Sequence, residues 1–143
     1  MRSRLFAALA VFSFLLTIAA NGTAQAQSID TSTHNVALKN GETTELVDVF
    51  YVNTNCKSVL KETPHVEILD GPPGVTAIIT PAKVVPRGYS CANPVNGGKL
   101  MIAAKDIQEH SHTRMVLRVN SKTFSGERQR SININLTLFP PNN

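Results

Sequence analysis

From His34 onward, apolar positions recur with period two in short runs separated by turn residues, the pattern of half-buried β-strands rather than of helices. Asn35 to Lys39 places Val36 and Leu38 on one face. Asn40-Gly41 then marks a tight turn, because that pair tolerates positive φ. Thr43 to Val52 is apolar on both faces, which predicts a strand central in its sheet and covered twice, with Asp48 as its one awkward member. Pro64 to Leu69 alternates Val66 and Ile68 with His65 and Glu67. Asp70-Gly71-Pro72-Pro73-Gly74 is a rigid turn. Val75 to Thr80 and Ala82 to Val85 read as one strand broken at Pro81, and a proline there predicts an edge or a bulge. Residues 86–98 read as a long loop. Lys99 to Ala104, Thr113 to Val119 and Ser131 to Phe139 complete the series, the last with Ile132, Ile134, Leu136 and Leu138 on one face. Lys105 to His112 has room for one short helical turn. About seven short strands in little more than 100 residues predict an all-β, Ig-like two-sheet sandwich, with a small closed barrel as the structural rival.

The N-terminus follows a different pattern. Arg2 and Arg4 precede an apolar run from Leu5 to Ala20, and Ala24-Gln25-Ala26 supplies small residues at the positions signal peptidase reads. Residues 1–26 are therefore expected to be a cleaved secretory signal, 27–33 a flexible polar lead-in, and 34–143 the folded domain. This changes the meaning of the charge. Removing 26 residues from 143 leaves 117, and Arg2 and Arg4 leave with them. The balance becomes 12 Lys+Arg against 10 Asp+Glu, and the net charge falls from +4 to +2. Composition then gives no reason to expect a nucleic-acid partner, which calls for a clustered basic surface. No later segment is long and apolar enough to span a bilayer, so no membrane insertion is expected after cleavage. The expected location is the periplasm or the medium.

The two cysteines, Cys56 and Cys91, suit that compartment and are expected to form a disulfide. Closing that loop of about 35 residues is worth roughly 3.8 kcal/mol by chain entropy. Both cysteines border loops, so the bond should tie a strand end to the 86–98 loop at one pole. The absence of Cys-x-x-Cys favours a structural role over a redox one.

Several segments together resemble a group of small exported bacterial Ig-like, cadherin-like domains with one cysteine pair. They are Val52-Asn53-Thr54-Asn55-Cys56, Pro64-His65-Val66-Glu67-Ile68, Gly71-Pro72-Pro73-Gly74-Val75, then Cys91 and the strand at Lys99 to Ile102. The resemblance covers Val47 to Ile102. It departs afterwards, since the group carries a Tyr-x-Pro and Gly-x-Asp turn where this chain has Ala103 to His112. It implies a sandwich of the bacterial envelope or medium, with no enzymatic activity and no catalytic residues.

Chemistry-bearing residues are few. His110 and His112 stand at i and i+2, a spacing that offers two imidazoles to one Cu or Zn ion if the segment is a strand. Its polar setting reads instead as a solvated loop, so no cofactor is expected. Arg114, Arg118, Lys122, Arg128 and Arg130 fall late in the sequence. They are expected to share the exposed face of two neighbouring strands, with Arg114 and Arg118 as a possible anion or glycan contact. Gly-x-Ser-x-Gly is absent, and the ten acids are scattered, mostly at turn or solvent positions. The sequence thus predicts a non-enzymatic module acting through surface contacts with an envelope protein or polysaccharide. Periplasmic metal binding through His110 and His112 is the alternative.

Overall fold

The computed structural model describes residues 30–142; the expected signal segment, 1–26, and residues 27–29 lie outside them. Seven strands run in the order β1 (Asp30–Lys39), β2 (Thr43–Val49), β3 (His65–Asp70), β4 (Val75–Val84), β5 (Val95–Ala104), β6 (Ser111–Thr123) and β7 (Gly126–Phe139). They form a four-stranded sheet, β1-β7-β6-β3, and a three-stranded sheet, β2-β5-β4. The sequence-predicted all-β sandwich and its disulfide are both present. The orders β2-β5-β4 and β3-β6-β7 match the B-E-D and C-F-G strands of immunoglobulin sandwiches. β1 is added to β7 in parallel, Asp30 opposite Arg130 through Lys39 opposite Phe139.

The core forms where the two inner faces meet. Met115, Leu117 and Val119 of β6 and Ile132, Ile134, Leu136 and Leu138 of β7 face Leu100, Ile102 and Ala104 of β5. Their period-two spacing puts every second side chain of a strand on one face, so the alternation in sequence becomes the buried layer directly.

Several local expectations change. Residues 30–33, read as part of a polar lead-in, belong to β1. Backbone pairing with β7 needs no apolar side chains, so polarity hid the strand. β2 is an edge strand rather than a central one, and the central strand of its sheet is β5. Its two-faced apolar character arises from a register shift between Glu45 and Val47, and because Phe50 to Val52 lie past the strand's end. β4 runs unbroken through Pro81, at the sheet edge where the missing N–H costs nothing. Residues 95–98, read as loop, begin β5. No helical turn forms between Lys105 and His112, and Ser111 already starts β6.

Two glycines make close approaches possible. At Gly97 a Cβ would stand 2.5 Å from the Val49 carbonyl oxygen, so only glycine lets the chain leaving β2 cross β5 there. Gly74 has φ +81°, accepts a hydrogen bond from the Lys105 N–H at 2.7 Å, and would drive a Cβ into the Lys105 carbonyl oxygen. Gly74→Ala is expected to lower stability by about 1–3 kcal/mol. Gly41→Ala has the same sign of φ but open space around it, and is expected to cost about 1 kcal/mol. Urea midpoints of the two variants separate the clash from the backbone penalty.

Candidate functional site

The residues singled out in the sequence fall in three separate places. Cys56 and Cys91 are bonded, with Cα atoms 5.5 Å apart. The bond joins the turn after β2 to residues 85–94 between β4 and β5, at the pole where β2 and β4 end and β7 begins. Asn53 shapes the turn. Its side-chain oxygen accepts from the Asn55 and Lys57 N–H groups, each at 3.0 Å, and its carbonyl accepts from the Cys56 N–H at 3.0 Å. Cys56 takes φ 57° in consequence of this tight reversal.

His110 and His112 lie at the opposite pole, their rings edge to face at 4.9 Å. His110 stacks on Phe139 at 4.8 Å, and His112 Nδ1 is 3.1 Å from the Thr137 hydroxyl. No cluster of three or more His, Cys, Asp or Glu able to hold a metal ion occurs among the described residues.

Arg114 and Arg118 lie four residues apart on one face of β6, opposite Asn135 and Ser131, with the Arg118 guanidinium 3.7 Å from Glu67. Lys122 shares their phase and pairs with Glu62 at 2.9 Å; that hydrogen bond raises its pKa above the ordinary lysine value. Arg128 and Arg130 do not join them. They are in phase with Ile132 and Ile134 and so belong to the opposite face of the sheet. The late basic cluster therefore divides between the outer face and the space between the sheets.

That inward pair defines a site the sequence reading missed. Three cavities of about 370, 210 and 480 Å³ run in series along the open side of the disulfide pole. The first and second share Asp48, Phe50 and Arg130; the second and third share Tyr51. One wall is the end of β2 with Phe50 to Asn53. The other is the start of β7, with Val119 and Ile132 beneath. Arg130 donates to the Ser32 hydroxyl at 3.2 Å, which fixes its guanidinium beside β1. Arg87 enters from the 85–94 loop, and Arg128 lines the far cavity. Tyr89, 61% exposed, stands edge to face with Phe50 at 5.8 Å. Two acids border the groove: Lys99 hydrogen-bonds Glu45 at 2.7 Å, while Asp48 Oδ1 lies 3.8 Å from the same ammonium and has no hydrogen-bond partner. The hydrogen bond to Glu45 raises the Lys99 pKa above its ordinary value. Arg130 announced itself in the sequence only by its parity with Ile132.

No protein-family model and no curated protein matches this chain. Among solved structures it is similar to the solution structure of Amebosin, at 10% sequence identity and a TM-score of 0.35, over 75% of this chain and 97% of that one.

Proposed function

We propose that this protein is a non-enzymatic, exported Ig-like module of the bacterial envelope or medium, acting by surface contact centred on the groove at the disulfide pole. The observation that carries the reading is the groove itself. Arginines and aromatic side chains, both enriched where proteins bind partners, converge there from β7, the strand-end segment 50–53 and the 85–94 loop. The Cys56–Cys91 bond holds the last two of these together. A disulfide is compatible with the periplasm or the medium, and the apolar segment ahead of the domain supports export. The partner is a component of the same compartment.

Contact at the groove is tested by installing a photo-crosslinking side chain at position 89, and in a second protein at Ile78 on the outer face of the other sheet. Each purified protein is exposed to envelope and medium fractions. Discrete adducts are expected from position 89 and not from position 78. Equal labelling at both positions, or hydrolytic turnover on a substrate panel that one point substitution abolishes, would overturn the reading.

A further inference from the structure

We infer that the groove at the disulfide pole is a binding site for an acidic saccharide, a chain of sugar rings carrying carboxylates. The inference rests on the binding-module reading above and names the ligand of that site.

The charge comes first. No carboxylate among the described residues lies within salt-bridge distance of Arg87 or Arg128, whereas Lys99 pairs with Glu45 at 2.7 Å and stands 3.8 Å from Asp48. Arg130 is held between the sheets with its guanidinium anchored on Ser32. Arg87 and Arg128 thus stand in one groove without a carboxylate partner among the described residues, and together with Lys99 they outnumber the two carboxylates that border it, Glu45 and Asp48. A guanidinium offers planar, paired donors that match a carboxylate, so the complementary ligand is anionic.

The remaining lining decides between kinds of anion. Tyr89 is the most exposed aromatic of the groove, and its edge-to-face contact with Phe50 fixes the ring as a standing platform. Tyr51 lies where two of the cavities meet. A pyranose presents an apolar C–H face that packs on such a ring and hydroxyl groups around its rim. Asn53, Ser125 and Gln129 line the far cavity and supply the amide and hydroxyl partners those hydroxyls require. An acidic peptide would use the arginines but has little need of aromatic platforms or of this density of neutral hydrogen-bonding groups. A free inorganic anion would leave most of the groove empty, since the cavities individually reach about 480 Å³. Their serial arrangement suits several sugar units in a row.

The test is affinity electrophoresis and calorimetry of the purified exported protein with polygalacturonate, neutral dextran and poly-glutamate as probes. Polygalacturonate is expected to retard the protein, dextran to leave it unaffected, and poly-glutamate to bind at least tenfold more weakly. Arg87→Ala and Arg128→Ala, both at exposed positions, should each weaken polygalacturonate binding roughly 3–10-fold, as loss of a charge-assisted contact does. Tyr89→Ala should weaken it several-fold, and Arg114→Ala on the outer sheet face should leave it unchanged. Circular dichroism and urea midpoints confirm that each variant is folded. Equal affinity for poly-glutamate would overturn the saccharide assignment, and loss of binding in Arg114→Ala but not in Arg87→Ala would overturn the site. Absence of polygalacturonate binding overturns the ligand class alone if position 89 still gives discrete adducts, and the binding-module reading with it if position 89 gives none.

Discussion

Breaking the Cys56–Cys91 bond is expected to lower the stability of the domain by about 3.8 kcal/mol, the chain-entropy value for a loop of its length. Against a typical total of about 5–15 kcal/mol this is a large fraction, yet it leaves the domain folded at 25 °C when the core is intact. The buried layer of β5, β6 and β7 does not include either cysteine, so its packing survives reduction. With a urea slope of about 1–2 kcal/mol/M, the midpoint should fall by roughly 2–4 M in reductant and in the Cys56→Ser/Cys91→Ser double variant. Far-ultraviolet circular dichroism of the folded fraction should not change. Thiol labelling of both cysteines in protein recovered without reductant would contradict the pairing. An unmoved midpoint would contradict the energetic account while leaving the bond in place. The local effect should exceed the global one: residues 85–94 lose their tether to the Asn53 turn, so Tyr89 should exchange its contact with Phe50 for solvent. Tyrosine fluorescence and hydrogen exchange of that loop report the change.

Truncating the centre of the buried layer should have an effect of comparable size. Leu117 lies on β6, flanked by Ile68 of β3 and Ile132 of β7, and is fully buried. Leu117→Ala removes apolar contact and leaves a void that two sheets, each held by its own ladder, cannot close. The expected loss is about 2–5 kcal/mol. Ile78→Ala provides the contrast, because Ile78 lies on edge strand β4 and is 57% exposed; its loss should stay near 0.5 kcal/mol. Paired urea titrations decide the matter. Similar losses at the two positions would mean that the inner and outer faces are wrongly assigned.

The alternation of Ile132, Ile134, Leu136 and Leu138, and of Met115, Leu117 and Val119, made the class of fold and the buried face legible, because a strand with one covered face writes that face into every second residue. The same rule misled for Thr43 to Val52. There a one-residue irregularity at Leu46 shifts the phase, and the aromatic residues beyond Val49 serve a loop rather than a sheet. Strands held mainly by backbone pairing left a faint trace, as Thr31 to Thr33 shows. The cysteine pair was legible from compartment and number. The groove was not, because Arg87, Tyr51 and Arg130 come from three distant segments whose meeting depends on how the sheets are stacked. Arg128 and Arg130 were grouped with Arg114 and Arg118 by nearness in sequence, although their parity already separated them.

The parallel pairing of β1 with β7 has a mechanical consequence. Asp30 lies beside Arg130 at one pole, and nine residues later Lys39 lies beside Phe139 at the other, so the ladder spans roughly 30 Å. Tension drawn in through residue 30 and out through residue 139 acts along both strands in opposite senses. It loads the evenly spaced hydrogen bonds of a parallel ladder together, in shear, rather than unzipping them one after another. A chain pulled from those two points must break that ladder as a unit before either sheet opens, so the fold is built to resist stretching along its long axis more strongly than its modest size suggests.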